Sequence, residues 1–312
     1  MKSRVAPVLV VFVLVFAGFA ALLPGERAFL SFGNLRLILL QSVPLVIGGL
    51  GMMLVMAGRG ADLGAGSAVT LAGALAAMLL AAGMPLWGVF PVLLLGGIAT
   101  GMLNGGVVKV AGGRVMAVTF VTGAVFRALA GLLPGDGAPP PLFQTAMALF
   151  PPFPWPWFAA GIWLALAVTL GTGGALRYTL WGHHLLAIGS NEEAARLCGV
   201  RVERTRFYAM VAAGMLYALA GGLQWGAKGS VEPENAPWLT LDLLAAALLG
   251  GAVMEGGRAP VRGVVCGAVT VALVRNGVAL AGGHRTVADL SIALLALGML
   301  GIRTRAKSGS GG

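Results

Sequence analysis

The amino-acid sequence predicts an all-α polytopic membrane protein. Of its 312 residues, 58% are hydrophobic and only 10% are charged, whereas a soluble domain carries about 25% charged residues. The mean hydropathy is +0.91, and apolar runs close to the roughly 20 residues that a spanning helix needs recur along the chain. The 50 glycines agree with this class, because small residues allow spanning helices to pack closely. We therefore expect membrane lipid to surround the chain.

About ten apolar segments are predicted to form the spans. The first follows Lys2 and Arg4 and resembles a signal peptide, but Gly18-Phe19-Ala20 is only a fair cleavage site, so we expect an uncleaved span. The joins at 58–62 and 84 are short, and either could contain a broken helix, which is tolerated where protein or a cavity surrounds it. The predicted segments are 7–23, 37–57, 63–83, 85–103, 115–133, 157–176, 206–226, 238–253, 263–281 and 287–302.

The positive charges predict that both termini lie in the cytoplasm, at a bacterial inner membrane. The net charge of +10 would suggest nucleic acid as the partner of a soluble protein, but in a membrane protein it indicates positive cytoplasmic loops. With a cytoplasmic N-terminus, the outer side carries only Arg27, Arg36, Lys228 and Arg285. The inner side carries Lys2, Arg4, Arg59, Lys109, Arg114, Arg177, Arg196, Arg201, Arg204, Arg206, Arg258, Arg262, Arg303, Arg305 and Lys307.

The loops and the end of the chain complete the predicted organisation. Residues 134–156 are rich in proline and end near Trp155 and Trp157, which predicts an outer loop with an anchor at the membrane interface. Residues 177–205 form a long cytoplasmic loop with the densest charge in the chain. We expect residues 1–307 to form a single transmembrane domain and residues 308–312 to form a flexible tail.

A short, capped helix is predicted within the long cytoplasmic loop. Ser190 and Glu193 fit an S-x-x-E capping box, which satisfies the free N–H groups at a helix start. Glu192 and Glu193 also suit the positive N-terminus of a helix, and Gly199 can adopt the left-handed conformation that ends one. A capped helix between two spans is either an ordinary amphipathic loop helix or a rigid knob on which a soluble partner docks.

The same stretch, Ala187 to Val200, reads AIGSNEEAARLCGV. It is similar to the cytoplasmic coupling loop of bacterial ABC importer permeases of the ribose/monosaccharide type, which typically reads AIGGNEEAARLSGI. Further similar motifs follow the same order along the chain: ADLGAGS at 61–67 (family IDLSVGS), MLNG at 102–105, LLGG at 248–251 with EGGR at 255–258, and RNG at 275–277. This chain departs from the family at Gly64, at Val115 to Phe120 and after Arg258. The resemblance places these departures near the translocation route, where they affect which solute is carried.

The resemblance implies a permease of the ABC importer type II-like fold, with two inverted-repeat halves at spans 2–5 and 7–10. It further implies a homo- or heterodimer of permeases, a cytoplasmic ABC ATPase and a periplasmic or lipid-anchored solute-binding protein. The sequence has no G-x-x-x-x-G-K-[ST] motif, so we expect no enzyme activity and no cofactor in this chain, with ATP used by the partner subunit. The residues that the resemblance assigns to ATPase docking are Asn191, Glu192, Glu193, Ala194, Ala195 and Gly199.

Few polar groups are available to line a pathway through the spans. The scarcity of charge favours a neutral solute such as a sugar, because buried ionisable groups normally mark ion or proton routes. Arg127 and Arg275 are expected to extend towards the interface, and Thr286 with Asp289 fits a capping box. Cys198 and Cys266 have no metal-ligand spacing, and neither a metal site nor catalytic residues are predicted. The candidate pathway residues are Asp62, Ser67, Asn104, Thr119, Thr122 and Asn276.

Three other functions remain open at this point. A permease of the same superfamily could carry branched-chain amino acids or nucleosides. A secondary transporter driven by protons or sodium would need acidic residues deep in its spans. A structural membrane scaffold would leave the capped loop helix without a role.

Overall fold

The computed structural model describes residues 6–22, 29–133 and 160–308, and all regular structure within these ranges is helical. The predicted proline-rich loop 134–156 and the last four residues of the predicted tail lie outside these ranges. Ser308, the first residue of the predicted tail, is instead the last residue of a helix. The helices are α1 (Ala6–Leu22), α2 (Phe32–Ala57), α3 (Ala65–Ala81), α4 (Leu86–Val110), α5 (Val115–Leu132), α6 (Ala160–Tyr178), α7 (Leu180–Ser190), α8 (Glu192–Leu197), α9 (Val202–Lys228), α10 (Ala236–Gly250), α11 (Val261–Leu280) and α12 (Arg285–Ser308), with a 3-10 turn at Pro233–Asn235.

Six of the described helices, α2, α4, α5, α6, α9 and α11, are long and apolar enough to cross a membrane. Two further apolar helices, α1 and α3, are 17 residues long. The predicted class, an all-α multi-pass membrane protein, is confirmed. Each of the ten predicted segments overlaps one helix, whereas the number of spans and the inverted repeat stay predictions.

Helix α2 forms the centre of the bundle. Every residue from Leu45 to Gly58 is buried, which is expected of a helix that is hydrophobic on all sides. It packs against α3, α6, α9, α10 and α11. Helix α9 runs beside α2 and also packs along α3 and α4, and these four helices hold about half of the buried hydrophobic residues.

The close contact between α4 and α9 depends on glycine. A Cβ atom on Gly214 would lie 2.2 Å from the carbonyl oxygen of Gly97, and a Cβ atom on Gly97 would lie 2.5 Å from the carbonyl oxygen of Gly214. The two backbones therefore touch where a side chain would separate them. Small residues at such crossings are the usual basis of helix packing in membranes.

The short segment between α2 and α3 has irregular backbone. Helix α3 begins at Ala65, two residues after the predicted start, and Arg59 has a left-handed φ of 68°. Within 58–64 only Arg59 and Leu63 are exposed. The Gly64 N–H donates to Asp62 Oδ1 at 2.9 Å and the Leu63 N–H donates to Thr119 Oγ1 at 3.0 Å. Non-helical backbone in a membrane protein needs such internal partners.

The bundle has two distinct ends. At the first, which we call the cavity end, Asn34 near the start of α2 bonds to Asn276 near the end of α11. At the second, which we call the α8 end, Arg206 near the start of α9 bonds to the Gly58 carbonyl just after α2. Since α2 and α9 run in opposite directions, the end of α9 lies at the cavity end.

Candidate functional site

A large cavity opens at the cavity end of the bundle. Its volume is about 1010 Å³, which is at the upper limit of typical small-molecule sites. Apolar residues and Trp225 form much of the wall, and a limited set of polar side chains interrupts it, as is usual in ligand sites. Among these polar residues are Asn34, Gln41, Gln224, Asp242, Arg275 and Asn276.

Two amides join α2 to α11 beside this cavity. Asn34 Nδ2 donates to Asn276 Oδ1 at 3.0 Å, and Asn276 Nδ2 donates to Asn34 Oδ1 at 2.8 Å. Asn34 Nδ2 also donates to the carbonyl of Phe29 at 3.0 Å. Both asparagine side chains are buried, so the reciprocal pair satisfies groups that would otherwise be costly to bury.

A charged cluster stands on the same wall. Arg275 on α11 donates from Nε to Asp242 Oδ2 at 2.9 Å and from Nη2 to Asp242 Oδ1 at 2.6 Å. Its Nη2 also donates to Asp289 Oδ1 on α12 at 2.8 Å. The predicted extension of Arg275 to the interface is wrong, because two carboxylates hold it inside the bundle. The predicted cap of Thr286 with Asp289 is also wrong, since α12 already begins at Arg285 and Asp289 binds Arg275.

The structure brings one predicted pathway residue, Asn276, to the cavity and places the other five elsewhere. Thr122 Oγ1 donates to the Val118 carbonyl, and Thr119 Oγ1 donates to the Val115 carbonyl, both within α5. The remaining three, Asp62, Ser67 and Asn104, are buried without lining the cavity. Their role in a pathway stays a prediction.

The predicted loop helix is present as α8, but its cap differs. Ser190 is the last residue of α7 and donates to the Leu186 carbonyl, so the predicted capping box of Ser190 and Glu193 is wrong. Asn191 caps α8 instead, and its Oδ1 accepts from the Ala194 N–H at 3.0 Å. Asparagine is as good an N-cap as serine, and Asn191 directly follows Ser190 in the sequence.

The C-terminus of α8 is closed as predicted. Gly199 has a φ of +81°, and its N–H donates to the Arg196 carbonyl at 2.9 Å while the Val200 N–H donates to the Ala195 carbonyl at 3.0 Å. This pair of bonds is the Schellman motif. Val200 also packs on a small apolar cluster of Ile188, Ala195 and Val202. Both ends of this six-residue helix are therefore fixed.

The two faces of α8 differ in chemistry. Ala195 is buried against the bundle, so this predicted docking residue faces inward. Glu193, Ala194 and Gly199 are exposed, as is Leu197, which is 85% exposed.

Glu192 connects α8 to a spanning helix. It accepts from Arg206 on α9 at 2.6 Å, and the same guanidinium donates from Nε to the Gly58 carbonyl at 2.8 Å. Arg196 bridges Glu192, at 3.1 Å, and Glu203. Partial burial raises the pKa of Glu192, but the hydrogen bonds and charges of Arg206 and Arg196 outweigh it, so the pKa lies below its usual value. Glu192 therefore stays ionised and holds α8 to α9.

The sequence analysis did not identify several of these site residues, although some of them stand in patterns from which their role could have been predicted. Arg275 and Asp242 are opposite charges inside apolar segments, and such groups usually pair with one another. Asn34 and Gln41 lie seven residues apart, on one face of α2. Leu197 gives no comparable signal, because the sequence does not show which face of a two-turn helix is buried.

Comparison with known proteins gives a consistent result. Residues 34–302 match the family described as "Branched-chain amino acid transport system / permease component". The chain is 32% identical to the ribose import permease of Haemophilus influenzae over 81% of this chain and 79% of that protein. It is 31% identical to the L-arabinose transport system permease of Escherichia coli over 87% of this chain and 82% of that protein. No solved structure matches.

Proposed function

This chain belongs to the branched-chain amino acid transport system permease family, and we propose that it is the membrane-spanning subunit of an ATP-binding cassette importer for a monosaccharide or similar neutral polar solute. Its relatives include permeases named for ribose, L-arabinose and fructose. The α8 end then faces the cytoplasm, as do both termini, and the cavity end faces the outside of a bacterial inner membrane. Ten spans make up the bundle, and eight of them form two inverted halves, spans 2–5 and spans 7–10.

The partners follow from this arrangement. Two permeases pair, each binds a cytoplasmic ATPase subunit at α8, and a solute-binding protein delivers solute to the cavity. ATP binding by the partner moves α8 and with it α9, so that the cavity is exposed alternately to each side. Such a switch requires that ATP binds the two states with different affinity.

The observation that carries the proposal is the construction of α8. The helix is capped at both ends, joined to α9 through Glu192 and Arg206, and leaves Leu197 exposed. A helix of six residues is far too short to be stable alone, so its order depends on these attachments. A docking element must be rigid in this way if force applied to it is to reach the spans.

The family description raises a branched-chain amino acid as a second candidate. An amino acid presents a carboxylate, and arginine is the residue best suited to bind one. Arg275 lines the cavity, but Asp242 and Asp289 already occupy two sides of its guanidinium. This favours a solute without a negative charge. A nucleoside permease of the same superfamily is a further alternative. Proton or sodium coupling is another, and it predicts transport without any ATPase partner.

The test is purification of the chain from its source membrane together with bound proteins, followed by ATP-driven uptake in proteoliposomes. We expect an ATPase subunit to co-purify and the complex to take up at least one of ribose, arabinose and fructose. Leu197→Ser should release the ATPase, whereas Leu197→Met, which keeps an apolar side chain, should retain it. Uptake that follows an ion gradient without ATP, or uptake of leucine but no sugar, would overturn the proposal.

A further inference from the structure

The guanidinium of Arg275 is held rigidly at the cavity wall. Nε and Nη2 donate to two carboxylates on neighbouring helices, while Nη1 donates to no atom of the residues that the structure describes. The side chain is 23% exposed, and Arg275 is among the residues that line the cavity. A fixed donor of this kind loses little side-chain entropy when it bonds to a ligand.

The positive charge of Arg275 is outweighed by the carboxylates that bind it. Asp242 and Asp289 both bind Arg275, so the three groups together are negative when ionised. Glu232 and Arg285 also line the cavity, and Asn235 bonds to both of them. The described charged residues of the cavity lining are thus two carboxylates, Glu232 and Asp242, and two guanidiniums, Arg275 and Arg285. Asp289, which binds Arg275 but does not line the cavity, adds a third carboxylate beside that guanidinium. A cleft with low-dielectric walls focuses such an imbalance.

We propose that Arg275 is a specificity-determining contact of the cavity, which donates through Nη1 to a hydroxyl oxygen of a neutral polyhydroxylated solute, and that Asp242 and Asp289 position it and exclude anions. This inference rests on the proposed function for the identity of the solute. The cavity then binds a sugar and rejects the corresponding sugar acid, although both offer nearly the same hydroxyl groups.

The charge can be measured without knowing the solute. In a background of Cys198→Ser and Cys266→Ala, an Ala279→Cys reporter places a thiol in the cavity lining one helical turn from Arg275. An Ala82→Cys reporter, at an exposed residue that does not line the cavity, is the matched control. Membrane vesicles are treated with a cationic and an anionic methanethiosulfonate reagent, and the ratio of the two labelling rates is compared between the sites.

We expect the ratio of cationic to anionic labelling to be about tenfold higher at the cavity reporter than at the control, the lower end of the range for focused charge. Asp289→Asn should reduce the ratio at the cavity reporter and leave the control unchanged. Equal ratios at the two sites, or a cavity ratio unaffected by Asp289→Asn, would overturn the exclusion of anions.

The contact is tested by protection of the cavity reporter. An excess of ribose, arabinose or fructose should slow labelling, ribonate and arabinonate should not, and Arg275→Lys should abolish protection by the sugar while leaving the charge ratio unchanged. If Arg275 had only a structural role, Arg275→Lys would change both the protection by sugar and the labelling ratio, or would change neither. Protection that survives Arg275→Lys, or that sugar acids give equally well, overturns the proposal. Failure of ATP-driven uptake by the complete complex counts against the proposed function alone, because the labelling ratio requires no transport.

Discussion

Glu192→Ala is expected to loosen α8 from the bundle. The bond between Glu192 and Arg206 is 2.6 Å long, and the two side chains are 28% and 13% exposed. A hydrogen bond to a charged group contributes about 1.5–3 kcal/mol, and the lower end applies here because water reaches Glu192. A loss of about 1.5 kcal/mol raises the population of the locally opened helix roughly tenfold.

Hydrogen exchange measures this opening directly. The amides of Gly199 and Val200 are protected by the bonds that close α8, and each should exchange about tenfold faster in Glu192→Ala. Glu193→Ala is the control, because Glu193 is exposed on the same helix and has no ion pair among the described residues. Equal protection in Glu192→Ala and the unaltered protein, or an equal loss in Glu193→Ala, would refute the reasoning.

Three further outcomes are expected. The pKa of Glu192 in the folded protein is lowered from its ordinary 4.5, so its stabilisation of α8 is complete above pH 4.5 and is lost as the pH falls through the lower pKa of the folded protein. Amide hydrogen exchange at Gly199 and Val200, corrected for its intrinsic pH dependence, measures this loss. Gly214→Ala places a carbon 2.2 Å from a backbone oxygen of α4, whereas no atom lies within 4 Å of a Cβ on Gly106, so Tm in detergent should fall only for Gly214→Ala. Asn34→Leu leaves the buried amide of Asn276 without its partner, which should cost about 1 kcal/mol, and changing both residues to leucine should recover part of the lost Tm.

The helices of this protein could be predicted because apolar length is a local property of the sequence. Helix α2 nevertheless begins at Phe32 rather than at 37, since Ser31 caps it by accepting from the Asn34 N–H. Residues 32–36, the first turn of this helix, are not apolar enough to be recognised from hydropathy as part of a span. Near 58–62 the sequence indicated an irregular join, but not that Thr119 from α5 would satisfy its backbone.

The site was predicted less completely, because its groups meet only in the folded bundle. Asp242 and Arg275 are separated by 33 positions in sequence, and neither alone shows that the other is its partner. For α8, the acidic residues at its start and a closing glycine were sufficient to predict a helix and its end. The predicted cap, Ser190, was wrong because α7 extends to Ser190 and leaves Asn191 as the first residue free to cap α8.

Helix α9 joins the two regions described above in one continuous element. Arg206 contacts α8 near its beginning and Gln224 lines the cavity near its end, a separation of 18 residues or about 27 Å along the axis. No proline interrupts the helix. It can therefore act as a lever: a tilt of roughly 5° about the Arg206 end would displace Gln224 by about 2 Å, which is comparable to the helix shifts seen in switching proteins. A displacement of about 2 Å at Gln224 would be sufficient to break a hydrogen bond between this part of the cavity wall and a solute.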